Sequence, residues 1–445
     1  MPVYLDHAAT TPMLPAVRSA YVDALGVVGN PSSIHSQGQN AKRVLEEARE
    51  DVAASLGAEP ISVIFTSGGT ESINLGVKGL WWARQAPSQA RPVILVPRGE
   101  HHATVDAVEW LVRHEGAEVE WLPIDAVGRL SPAVLSSALS RLGASVALVT
   151  VLWANNEVGT IQDVAALAGV ADAHGVPLHV DAVAAYGYVP LDFGAVGAAA
   201  MSVSAHKIGG PVGLGALVLA RSHVVEPLIH GGNQQRVRSG TQDAAGAVAF
   251  AAAARLVTAG FAPAPAASAA LHLPQDVASD AALPQDVASD VRSPRAGLGD
   301  VPQDVASGGD LPQDVASGGG FVGELAGLRD RLVAGVQAAV PSAVLRGDPS
   351  PEGRLPGNAH FTFPGCEGDS LLFLLDMAGF SVSTGSACQA GVPEVSHVLT
   401  GMGIPVDEAR GALRFTLGHG TTAAEVDALV AALPAAVAAA QKAGF

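Results

Sequence analysis

Apolar residues fall in short continuous runs along the first half of the chain, at 61–66, 92–96, 118–123, 146–153, 177–180, 198–203 and 215–219. Runs of this length predict strands buried on both faces. Mostly helical spacers separate them, and such alternation predicts a largely parallel sheet with helices on either side. From about residue 321 the pattern changes to one helix followed by shorter runs at 360–363, 380–383 and 413–417, which predicts a smaller α+β unit. The fold class expected is therefore α/β, a large domain with a mainly parallel seven-stranded sheet and a smaller C-terminal domain.

Between the two lies a stretch of different character. The heptapeptide [LV]-P-Q-D-V-A-S recurs at 273–279, 283–289, 301–307 and 311–317 in surroundings rich in Ala, Gly, Pro and Ser. Its spacing is irregular and too short for a solenoid unit, and aromatic residues are almost absent, so it predicts a disordered or loosely structured insertion. The expected boundaries are an N-terminal segment at 1–14, the large domain at 15–262, the insertion at 263–320 and the small domain at 321–445.

Composition narrows the partners. The net charge of −17 over 445 residues, with no basic cluster, argues against nucleic acid. The longest apolar candidate, 244–254, is too short to span a membrane, and no secretory signal opens the chain. No C-x-x-C or H-E-x-x-H spacing suggests a metal. Only two cysteines occur, Cys366 and Cys388, which excludes a disulfide framework and predicts a reduced, cytoplasmic setting.

Candidate chemistry collects at predicted strand ends. Lys207, one of only four lysines, follows the run 198–203 in S-V-S-A-H-K-I-G-G. An amine there is a candidate Schiff-base former for a carbonyl cofactor such as pyridoxal phosphate, and the position equally suits a solvated lysine. Asp181, in H-V-D-A, ends the run 177–180, where open α/β sheets bind ligands. It can keep a pyridine nitrogen protonated or simply cap the next segment. In T-S-G-G-T-E-S-I-N the amides of Gly68, Gly69 and Thr70 would meet a phosphate at a helix N-terminus. Cys388 stands among small residues in S-T-G-S-A-C-Q-A-G-V, which reads as an accessible, mobile loop suited to a nucleophile that carries its product away. Cys366 reads as structural.

Together these residues resemble the cysteine desulfurases, fold-type I pyridoxal phosphate enzymes of the class-V aminotransferase-like group. The stretches that carry the likeness are L-D-H-A-A-T-T-P from Leu5, G-N-P-S-S from Gly29, T-S-G-G-T-E-S, A-N-N-E-V-G from Ala154, H-V-D-A, S-A-H-K, R-S-G-T from Arg238 and S-T-G-S-A-C. The resemblance implies Lys207 as the cofactor-bound base, Asp181 as the pyridinium partner and His101 as the imidazole over the ring. It puts Gly69, Thr70, Ser204 and His206 on the phosphate side, and Thr241 reaching the phosphate from the partner subunit of a homodimer. Asn156 and Arg414 would hold the substrate carboxylate. The implied reaction converts L-cysteine to L-alanine with a persulfide on Cys388, which passes to an acceptor protein or thiol for iron–sulfur cluster, thio-cofactor or tRNA biosynthesis. A selenocysteine lyase or a class-V aminotransferase is the alternative, and Cys388 separates the desulfurase from the aminotransferase. Two places depart from the pattern: Ala184 stands where a cofactor-binding glutamine is usual, and Asn233 and Gln235 replace a glycine and a glutamate.

Overall fold

The computed structural model describes residues 2–86, 90–232, 234–261, 320–385 and 395–443. Its strands are β1 (Val3–Tyr4), β2 (Val63–Thr66), β3 (Val93–Pro97), β4 (Glu118–Leu122), β5 (Val146–Leu152), β6 (Leu178–Asp181), β7 (Ala200–Ser204), β8 (Gly215–Leu219), β9 (Val344–Arg346), β10 (Asn358–Thr362), β11 (Phe380–Ser381) and β12 (Ala412–Thr416). Seven of them form one sheet in the order β2-β8-β7-β6-β5-β3-β4. Pairings from β7 through to β4 are parallel, while β8 runs antiparallel to both β7 and β2.

Burial on both faces explains the continuous apolar runs. Leu95 and Val149 point into a core closed by Leu45, Val52 and Phe250, and their neighbours Ile94, Val96 and Leu148 point into a second one with Val77, Trp81 and Leu111. The side-chain period of two sends successive residues to opposite faces, so in the central strands most positions are apolar and a polar side chain needs a partner within the sheet. The centre is pinned by His179, fully buried, whose Nδ1 lies 2.9 Å from Thr150 Oγ1 on β5 and whose Nε2 lies 2.8 Å from Ser202 Oγ on β7. Burial lowers this imidazole to about 3 and keeps it neutral.

The smaller unit has a three-stranded antiparallel sheet, β12-β10-β9, covered by the helices Gly320–Ala339 and Ala423–Ala443. Strand β9 is absent from the sequence-based reading because it is only three residues long, with Val344 exposed and the other two partly buried. Near the N-terminus, β1 pairs with β11, and Leu5 packs among Phe361, Phe415 and Leu429. The helix Ala423–Ala443 corrects the reading of apolar length. It is long and apolar enough to cross a membrane by composition, but Val426, Leu429, Leu433, Val437 and Ala440 are buried in the small-unit core. The heptapeptide repeats, Asn233 and Cys388 lie outside the described residues.

Candidate active site

Consecutive strands β5, β6 and β7 step one way across the sheet and β3 to β4 the other, so a crevice opens at their carboxyl ends. A cavity of about 400 Å³ lies there, lined by Gly69, Thr70, His101, Asn156, Asp181, His206, Lys207 and Arg414 among others. Eight of the residues expected from the sequence are thus brought together. Ser204, fully buried at the end of β7, is not on the wall, and its hydroxyl has no partner among the described residues. Its Cβ lies 3.4 Å from where a side chain on Gly69 would begin, so it sits directly beneath the glycine turn. Thr241 is exposed and does not line the cavity of its own chain.

At one end stands the N-terminus of the helix Gly69–Ala83, whose N-cap Gly68 makes no side-chain cap. The first amides of a helix lack internal partners and carry the positive end of its dipole. Gly68 has φ +147°, a conformation other residues rarely adopt, and a Cβ on Gly69 would press to 2.8 Å of Val183. Glu71, which would repel an anion here, is drawn aside by Arg238 at 2.8 Å and by the Ser67 amide at 2.7 Å.

Asp181 ends β6 and accepts from the Val183 amide at 3.0 Å. Burial raises its carboxyl to about 6, against the pull of that bond and of Lys207, so a cationic group opposite it would hold it ionised. Lys207 lies on the turn of 3₁₀ helix Ala205–Ile208. Burial and the Arg414 charge lower its amine to about 8. It donates to the carbonyls of Ala8 and, at 2.9 Å, Ala9. His101 caps the helix His102–Glu115, accepting from the Ala103 amide on Nδ1 at 3.1 Å, which leaves the proton of the neutral ring on Nε2. Enclosure and then Lys207 lower it to about 4. Its predecessor Glu100 is buried, accepts from Leu152 N–H at 2.8 Å, and is held well above the usual carboxylate range by that burial.

Arg414, on β12, donates to the Asn156 carbonyl at 3.0 Å and pairs with Asp6 at 2.7 Å. Neither contact was legible in the sequence: Asp6 lies inside a quoted motif, but its partner is 408 positions away. The carbonyls of Ala8 and Ala9 carry no side-chain signal at all. Ala184 lies between the main cavity and one of about 40 Å³ lined by His7, Tyr188 and Asn358. Among the described residues, no group of three His, Cys, Asp or Glu could hold a metal.

Pyridoxal phosphate fits these observations: an uncapped helix end and an orphaned buried hydroxyl for the phosphate, a buried carboxylate for a ring cation, and a depressed amine on the same cavity wall. The family model described as Aminotransferase class-V matches residues 3–273. The chain is 47% identical over 443 residues to an IscS-like cysteine desulfurase of Mycobacterium tuberculosis, covering 99% of this chain and 98% of that one. Among solved structures, a NifS-like protein matches with a TM-score of 0.77 at 27% identity, over 98% of this chain and 100% of the other. A structure described as SspA in complex with cysteine matches with a TM-score of 0.69 at 25% identity, over 93% and 98%.

Proposed function

The chain belongs to the cysteine desulfurases of the class-V aminotransferase family, which depend on pyridoxal phosphate, and from that premise we propose that it moves the sulfur of free L-cysteine onto Cys388 and releases L-alanine. The observation that carries this reading at the site is the meeting of Lys207, Asp181 and Arg414 on one cavity wall. That a structural relative holds cysteine supports the choice of substrate.

Pyridoxal phosphate, when bound, supplies an electron sink for the α-carbon of an amino acid. Gly69, Thr70, Ser204 and His206 would hold its phosphate, Asp181 its ring nitrogen, and His101 its ring face. Arg414, with Asn156 beside it, would grip the substrate carboxylate, a fork matched to two oxygens. Lys207, lowered to about 8, is partly neutral at physiological pH and takes the α-proton. The Cys388 thiolate then attacks the substrate sulfur. An S–S bond forms, the C–S bond breaks, and its electron pair stays with the β-carbon, which takes up a proton. L-alanine and a Cys388 persulfide result without an outside oxidant.

The persulfide sulfur passes to the thiol of an acceptor protein or small molecule, feeding iron–sulfur cluster or thio-cofactor and tRNA synthesis. A homodimer belongs to this reading, because Thr241 is exposed, lies off the cavity of its own chain and would serve a phosphate in that of a second copy; a cytoplasmic setting is proposed with it. The test is steady-state assay of the cofactor-loaded protein with L-cysteine and a reducing thiol. Alanine and sulfide in equal amounts are expected, and a coloured protein that releases neither would sink the proposal.

A further inference from the structure

The segment Asp6–Ala9 touches both ends of the space where an amino acid would sit. Arg414 belongs to a strand whose five residues are all buried, and its side chain is 5% exposed. Its Nη2 donates to Asp6 Oδ1 at 2.7 Å and its Nη1 to the Asn156 carbonyl at 3.0 Å. A guanidinium so enclosed needs a counter-charge and a fixed orientation. Two and three residues after Asp6, the carbonyls of Ala8 and Ala9 accept from Lys207 Nζ.

The segment is itself held in place. Tyr4 Oη lies 3.0 Å from the Asp6 carbonyl and 2.9 Å from that of Thr10, and the Ala8 amide donates to Thr416 Oγ1 at 2.9 Å. Leu5 and His7, on either side of Asp6, are buried. Asp6 therefore has little freedom to swing away from Arg414. An α-amino acid presents its carboxylate and its α-proton on one carbon, so the groups that meet them must stand at a set span for it to bind.

We propose that Asp6 is a positioning residue for substrate binding: it aims the Arg414 fork at the incoming carboxylate, while the segment it belongs to sets the span from Arg414 to Lys207. The inference rests on the amino-acid substrate proposed above. Nothing in the reaction requires the Asp6 carboxylate to touch the substrate.

The experiment uses cofactor-loaded wild type, Asp6→Ala and Asp6→Asn. L-cysteine is compared with cysteamine, which has the amine and thiol but no carboxylate, through the change each causes in cofactor absorbance. KM and kcat for L-cysteine are measured in parallel. Asp6→Ala should raise the KM and half-saturating concentration of L-cysteine at least about tenfold with kcat within about threefold, and leave cysteamine unchanged. Asp6→Asn keeps an acceptor oxygen for Nη2 and should return L-cysteine to within about threefold of wild type. Equal weakening of both ligands, unchanged or tighter binding of L-cysteine, or loss of cofactor from Asp6→Ala would overturn the inference. If wild type binds L-cysteine but makes no alanine, the proposed reaction fails while the absorbance still reports on Asp6.

Discussion

Lys207 is the residue whose environment makes the sharpest prediction. An amine lowered from 10.5 to about 8 is a weaker base but a far more available nucleophile near neutrality. Cofactor uptake by the cofactor-free protein should therefore rise about tenfold per pH unit below pH 8 and flatten above it. Stopped-flow absorbance checks this, and a midpoint near 10.5 would show that burial leaves the amine unperturbed. Ala184 gives a second test. One hydrogen bond to a charged group is worth roughly 1.5 kcal/mol or more, so Ala184→Gln should tighten cofactor binding by about tenfold, read by equilibrium titration. Lys207 was legible as a rare lysine just beyond an apolar run, and Ala184 only as a departure from the family pattern. The role of Asp6 was not, because ion pairing across the whole chain leaves no local trace.

At the scale of elements, the sheet holds its catalytic groups through its neighbours. His179 bridges three adjacent strands two residues before Asp181, and Gly76 must lack a side chain because a Cβ there would lie 2.5 Å from the ring. His179→Ala empties that space and strands two buried hydroxyls, which should cost about 3–5 kcal/mol in chemical denaturation. A loss under 1 kcal/mol would mean that the strands need no such bridge. The seven strands of the main sheet were legible within two residues at each end, since burial on both faces leaves most of them predominantly apolar. The antiparallel placing of β8 was not, because pairing direction depends on the connection and not on the run itself. Nor did apolar composition reveal that the helix Ala423–Ala443 belongs to a core, since the same residues suit either a protein interior or a lipid one.

For the whole molecule, two hydrophobic units share one cavity: β5, β6 and β7 bring Asp181 and Lys207 from the large sheet, and β12 brings Arg414 from the small one. The helices that flank the repeat segment, Ala244–Phe261 and Gly320–Ala339, pack against each other. Loop closure depends only weakly on length, and replacing residues 265–317 by a short Gly/Ser linker should leave kcat and KM for L-cysteine within about twofold. A larger loss would give the repeats a part in the reaction. The reaction is defined by where the sulfur goes. The most direct measurement incubates cofactor-loaded protein with one equivalent of L-cysteine, without reductant, then maps the added mass on peptides by mass spectrometry while counting alanine. The prediction is the mass of one sulfur atom on the peptide holding Cys388, matched by one alanine per modified chain and absent from Cys388→Ser. Alanine formed with no added sulfur there, or with the sulfur on Cys366, would contradict it.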